Sequence, residues 1–399
     1  MYKIDLLKHT IVNTVKSLGY GMKQKDRIFL RDIYERMLEH KTTVLSRLGD
    51  TDNKESTKSL RGYLSKHLGQ DKWSNLPEKV TKIMCKFIGN PRKETDFFCF
   101  DTVDINKNSA KKMEGLKKVR DATRNTFGSG YVLHGVSVKG IPLLLEREGI
   151  KENEDDMLRI KIFTKQLEDI FSLFGTGYWI LADRGYDDFK KFNLLIEKGF
   201  NFCIRLKSTR NITILDGYKM GEIVKISDLE EGKYRVKITG VKQDLFIFVK
   251  ALKGQTTPIK VISNIDDETA VEKYLNRWEI ERIFKTIKQE YGFEKIGTKS
   301  LQKIDNLVAL AQLCMGTSAY IFNKLEEEKG QRETGYTTVT SKKLRQKKAS
   351  YFGRKETNLN RNSITNFLSY YMKFVKKMKY FIEKVTLKHV SSSQIRLFE

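Results

Sequence analysis

Paired cysteines are missing from this chain. Cys85, Cys99, Cys203 and Cys314 are scattered with no short spacing between them. That argues against a zinc site and a disulfide framework, and makes a reducing cytosol the expected compartment. Cys99 and Cys203 lie inside apolar runs and read as small core residues. The five histidines are equally dispersed, and His134, between Leu133 and Gly135, reads as structural rather than as a ligand. No apolar run approaches a membrane span and Asp5 interrupts the N-terminus, so neither an anchor nor a signal peptide is expected. No internal repeat is visible. Acidic residues are in deficit: 75 Lys and Arg against 50 Asp and Glu leave a net charge of +25. Such an excess favours a polyanionic partner, nucleic acid ahead of an anionic membrane surface.

What is present suffices for a large fold. With 399 residues, 39% hydrophobic and 11% aromatic, the chain is long enough for two or three domains and too apolar for disorder. Residues 1–92 read as helical, with a long pattern from Ile28 to Leu48 and shorter ones at Leu60 to Leu68 and Pro77 to Ile88. Residues 1–95 hold 20 basic against 11 acidic residues, which fits a DNA-binding module or a plain helical packing unit. From Asp96 the texture changes. Phe97 to Phe100 is a buried-strand run leading into Asp101, and Gly130 to Val138 and Gly140 to Leu145 read as a hairpin with a Lys-Gly turn. A helix from Asp155 to Phe174, a strand from Tyr178 to Ala182 ending at Asp183, a helix from Tyr186 to Lys198 and a strand from Asn201 to Lys207 follow. Three strands, helix, strand, helix, strand is an α/β layer pattern. Residues 208–263 are β-rich and read as an insertion, or as a continuation of the main sheet.

Tyr274 to Lys288 contains neither Gly nor Pro and reads as one α-helix. At ~100° per residue, Tyr274, Arg277, Glu281 and Lys288 fall on one arc beside an apolar stripe of Ile280, Ile283, Phe284, Ile287 and Tyr291. The spacing alone equally fits a solvated face with ion pairs. Leu301 to Leu325 is a further helix. Residues 330–399 hold 16 basic against 4 acidic residues. The basic run at 342–348 reads as a phosphate contact or a solvated linker, and Ile364 to Val385 as a basic amphipathic helix.

Tyr274-x2-Arg277-x3-Glu281-x6-Lys288, with Trp278 after the Arg, resembles the signature of DDE transposases of the insertion-sequence-four type. Asp101-Thr102-Val103-Asp104 looks like the family's first Asp motif and Asp183-Arg184-Gly185-Tyr186-Asp187 like its second. The resemblance covers roughly residues 96–292. It implies a ribonuclease-H-like mixed sheet over 93–207 and 264–328, interrupted at 208–263; their charge alone marks residues 1–92 as a helical DNA-binding region and 329–399 as a basic region for DNA contact or dimerisation. Asp101, Asp183 and Glu281 are then the catalytic and metal-holding residues. Singly, an Asp at a strand end is more often a turn residue; three converging carboxylates repel unless cations lie between them. Mg²⁺ is the natural occupant and Mn²⁺ a substitute, two ions serving an in-line phosphoryl displacement.

Arg277 and Lys288 are expected to hold DNA phosphates and Tyr274 to donate to one, with Arg184 and Arg205 as further phosphate contacts or structural ion pairs. Asp104, Asp187, Asp188, Glu279 and Glu290 are set aside as solvated or supporting acids. The family can stack a flipped base on an aromatic of the insertion; without a Trp there, Tyr218, Tyr234, Phe246 or Phe248 would serve. The resemblance implies a bacterial, nucleoid-associated, metal-dependent DNA transposase. It would bind double-stranded element ends as a homodimer, cut them and join the 3′-hydroxyl to target DNA through a hairpin intermediate. The rivals are a nuclease that cuts without joining and a transposase-derived DNA binder without catalysis.

Overall fold

The computed structural model describes residues 2–49, 54–108, 110, 112–121, 125–148, 155–252 and 256–334. The basic run at 342–348 and the helix expected at Ile364 to Val385 lie outside the described residues. The chain divides into two compact units, one of residues 1–64 with those from 317 onward, the other of residues 65–316.

In the first unit the helices are α1 (Tyr2–Leu18), α2 (Gln24–His40), the single turn α3 (Leu45–Leu48) and most of α4 (Lys54–Leu68). Phe29, Leu30, Ile33, Tyr34, Met37 and Leu38 of α2 are buried at helical spacing, which is the apolar stripe its sequence carries. Helix α2 stops where Lys41 enters the left-handed region (φ 46) and its N–H bonds the Met37 carbonyl. The helix expected over 28–48 is therefore α2 and α3 with a bend between them. Tyr34 and Thr317 share a 2.6 Å hydroxyl–hydroxyl hydrogen bond in the interior.

The second unit is built on one mixed sheet. Its strands are β1 (Phe97–Asn106), β2 (Lys117–Asp121), β3 (Thr126–Val138), β4 (Ile141–Arg147), β5 (Trp179–Ala182), β6 (Asn201–Arg205), β7 (Asn211–Ile214), β8 (Ile223–Lys225), β9 (Gly232–Lys237), β10 (Leu245–Lys250) and β11 (Ile259–Ser263). They lie in the order β2-β3-β1-β5-β6-β11-β10-β9-β7-β8, with β4 also on β3. The expected β3–β4 hairpin forms around Lys139 and Gly140, both at positive φ (54 and 70), the twist a two-residue turn needs between right-handed strands. Strand β2 was not expected, nor was the short β8. The strands of 208–263 form no sheet of their own: β11 pairs antiparallel with β6 and the ladder runs on from there.

Among the described strands, only β1, β5 and β6 run parallel, and helices cover them on both faces, as parallel strands require. Helix α6 (Asp155–Phe174) packs Phe163 on Phe100 and Phe174 on Phe98, and α7 (Phe189–Glu197) stacks Phe192 on Phe202. The opposite face, that of Cys99, Leu181 and Cys203, meets α8 (Ala270–Leu275) and α9 (Trp278–Lys285). The long α10 (Leu301–Thr334) begins in this unit, and α5 (Leu76–Ile88), expected with the N-terminal helices, packs beside β4. Fold class is thus mixed α/β. No described helix is long and apolar enough to cross a membrane.

One expectation needs correction. Tyr274 to Lys288 is not one helix but α8, a tight turn, α9 and a π-helical turn over Thr286–Glu290. The Asn276 side-chain amide donates to the carbonyls of Glu272 and Lys273 and so competes with continuation of the helix. The next bonds close over three residues, Arg277 N to Tyr274 O and Ile280 N to Arg277 O, which tightens the turn as in a 3₁₀ helix. The wheel used for the four-residue arc therefore does not hold past Lys285.

Candidate functional site: carboxylates around a buried arginine

Register decides where the acids stand. Phe100 lies beside Ala182 and Ala182 beside Ile204, so the next residues, Asp101, Asp183 and Arg205, line up where the parallel pairing stops, at the C-terminal ends of β5 and β6 and midway along β1. Side chains alternate along a strand, so all three share the face of Cys99, Leu181 and Cys203, towards α8 and α9. Asp104 has the other parity and accepts from the Arg120 backbone N–H at 3.1 Å.

Helix α9 reaches Asp101 because the strand opposite has no side chain there. Gly135 pairs with Asp101, and a Cβ on it would stand 2.7 Å from the Phe284 ring and 3.2 Å from Ile280. That close approach brings Arg277 and Glu281 over the acid. Arg277, itself buried, donates from Nη1 to Asp101 Oδ2 (2.9 Å), from Nη2 to Glu281 Oε1 (2.5 Å) and from Nε to the Tyr274 hydroxyl (3.1 Å). Glu281 and Asp101, 180 positions apart in sequence, are thus held by one guanidinium. Among the described residues, no three His, Cys, Asp or Glu side chains are grouped so as to hold a metal ion.

The electrostatics are unbalanced. Burial first, then the nearby charges of Asp183 and Glu281, push the Asp101 carboxyl up to about 7, although Arg277 and the Thr102 amide pull the other way. Only 9% of Asp101 is exposed, so water does little to screen its neighbours. Burial would lower the Arg277 guanidinium, but Tyr274, Asp101 and Glu281 more than offset this and raise it. Asp183 begins a short 3₁₀ turn, Arg184–Tyr186, and accepts from the Gly185 N–H at 2.8 Å.

Lys191 and Tyr186, neither anticipated, support that turn. The buried Lys191 ammonium donates to the Gly185 carbonyl (3.1 Å) and lies 4.6 Å from the Tyr186 ring centre. Lys191 stands on the apolar side of α7, and a lysine there was the signal available. Arg184 is exposed on the turn itself. Arg205 is near enough for its charge to act on the Tyr274 hydroxyl. Lys288, displaced by the π-helical turn, is ion-paired with Glu294 at 3.6 Å.

The remaining acids have local work. Asp187 accepts from the Lys207 N–H (2.8 Å) and pairs with Arg210 (2.5 Å), Asp188 caps α7 through the Lys190 N–H, and Glu279 lies 3.9 Å from Arg282. Glu290 sits in the π-helical turn. Of the insertion aromatics, Phe248 is buried and Tyr234 bonds the Glu230 carbonyl, whereas Tyr218 is 88% exposed.

A family model described as the Transposase DDE domain matches residues 98–315, which span β1 through the first half of α10. A search of curated proteins found no match. The family acts on DNA by phosphoryl transfer and generally uses divalent metal ions. With more than half of its length inside that match, and with its acids drawn together from both ends of it, this chain belongs to the DDE transposase family.

Proposed function

We propose that the protein is a cut-and-paste DNA transposase of the insertion-sequence-four type with a ribonuclease-H-like catalytic domain. It binds the ends of its element, hydrolyses one strand at each end and joins the freed 3′-hydroxyl to target DNA, with a hairpin on the element end as intermediate. Asp101, Asp183 and Glu281 are its catalytic acids. What most supports this is the shared register of Asp101 and Asp183 on neighbouring parallel strands, with Glu281 tied to Asp101 through Arg277.

Three hard oxygen donors, one of them made a weaker acid by burial and by the charges of the other two, suit a hard dication. We assign Asp101, Asp183 and Glu281 as the holders of Mg²⁺, with Mn²⁺ as a substitute and two ions per site. Bound there, such ions would supply Lewis acidity to the scissile phosphate and to the leaving oxygen. Arg277 carries a guanidinium fork at the same spot and holds a phosphate oxygen against the acids. The Tyr274 hydroxyl accepts from Arg277 and keeps its own proton for that phosphate. Arg184, Arg205 and Lys288 extend the cationic grip along the strand, and Tyr218 is the insertion aromatic free to stack a displaced base. The helical region before β1 reads element-end DNA and the basic region after α10 adds DNA contact or dimerisation, two subunits pairing two ends in the nucleoid.

The test is a plasmid carrying the element between its own ends, incubated with the full chain and Mg²⁺. D101N, D183N and E281Q are each expected to lose cleavage and joining by about a thousandfold or more while keeping DNA binding. Cleavage surviving in any of the three overturns the assignment of that acid, and wild-type cleavage without joined product makes the protein a nuclease.

A further inference from the structure

We propose that the ribbon of β2 and the outer end of β3 is a second DNA contact, apart from the carboxylates; the proposal rests on the transposase reading for its choice of partner. Pairing of Lys118 with Ser129 and Arg120 with Phe127 sets these four residues on one face. Strand β2 alternates, with Val119 and Asp121 buried and Lys118 and Arg120 exposed. Phe127 is 66% exposed, and the Lys118 ammonium stands 4.8 Å from its ring centre. Arg120 is steadied by Asn125, whose side-chain oxygen accepts from Nη2 at 3.1 Å, so its charge is not neutralised there. By strand parity this is the face that bears Asp101 and Gly135 further along the sheet.

Cations on an edge strand also discourage edge-to-edge pairing. A bare phenyl ring on the same face does the opposite, since it invites association. A ring flanked by cations matches a polyanion that also presents flat or apolar surface: phosphates for Lys118 and Arg120, and a deoxyribose or base for Phe127. The spacing fits a shared duplex. Phe127 is eight residues from Gly135 on β3, which is about 27 Å at ~3.4 Å per residue. The same length is about eight base pairs of B-DNA. A duplex with its scissile phosphate at Asp101 and its axis along β3 reaches the ribbon.

The experiment measures binding of the full chain to a fluorescein-labelled 30-base-pair duplex of arbitrary sequence by anisotropy. EDTA is present, so no cutting occurs, and salt is varied. K118A/R120A is expected to make the slope of log affinity against log salt shallower by about 1.8, from ~0.9 per lost phosphate contact. F127A is expected to weaken binding about tenfold with the slope unchanged, and K118R/R120K to bind like the parent. Unchanged affinity and slope in K118A/R120A overturn the proposal. So does a changed sedimentation coefficient without DNA alongside unchanged DNA affinity, which marks a subunit contact instead. Because binding is read with metal chelated, the result is independent of the catalytic acids: wild-type cleavage without joined product fails the transposase reading and leaves the ribbon standing.

Discussion

Two buried carboxylates lie on opposite faces of the same sheet, and their surroundings could hardly differ more. Glu148, just after β4, is 2% exposed. It accepts from Lys117 Nζ at 3.0 Å and faces His134 Nε2 at 3.1 Å, with Arg159 at 3.8 Å. Burial alone would raise its carboxyl, but the hydrogen bonds and charges of His134 and Lys117 win and hold it at about 2. Asp101 has one cation, Arg277, shared with Glu281, and two acids beside it; it is pushed up to about 7 by burial, Asp183 and Glu281. A saturated carboxylate fastens three elements together. An unsaturated one is left wanting positive charge, and this family generally uses divalent metal ions.

Breaking the saturated site has the largest expected effect on stability. E148A removes the carboxylate that Lys117 and the buried His134 share and is expected to cost about 3–5 kcal/mol in chemical denaturation; a loss below ~1 kcal/mol would mean the cluster is wetter than its burial implies. Titration sharpens the contrast, because the two acids have opposite signs. Glu148 is depressed in the fold, so its contribution, on the order of 3 kcal/mol, is full above the unfolded carboxylate range and drains away as pH falls from about 4.5 towards about 2. Asp101 is raised, so the folded state binds its proton more tightly than the unfolded state. With metal chelated, stability therefore declines as pH rises from about 3.8 to about 7. E148Q should erase the acid limb and D101N the neutral one, as read by urea midpoints across pH; a D101N curve that parallels the parent between pH 4 and 7 would refute the second assignment. The smallest change, G135A, sets a Cβ 2.7 Å from Phe284. It is expected to cost about 1–3 kcal/mol and to slow cleavage by moving α9, and cleavage at the parental rate would show that α9 can yield there.

Much of this was legible in the chain. Apolar runs ending in an acid marked β1 and β5, and the parallel pairing then set Asp101 and Asp183 side by side. The Lys139–Gly140 hairpin announced itself through residues that tolerate or require positive φ. What could not be read depends on partners remote in sequence. Gly135 looks like an ordinary strand glycine until α9, some 145 residues later, packs onto it. Lys107 and Lys260 count towards a basic surface, yet they tie down backbone carbonyls of distant segments. Strand β2, Lys-Lys-Val-Arg-Asp, shows one apolar residue in five because it lies at the sheet's edge. The break at Asn276 escaped notice because neither Gly nor Pro marks it.

The lateral spacing of the first two acids is set by a hydrogen-bonded ladder. Neighbouring strands lie ~4.8 Å apart whatever their side chains, so this part of the geometry is a ruler made of backbone. Residues between Trp179 and Ala182 can drift in identity as long as their number is conserved. Deleting a single one would shift the phase of β5 and turn Asp183 to the α6 side of the sheet.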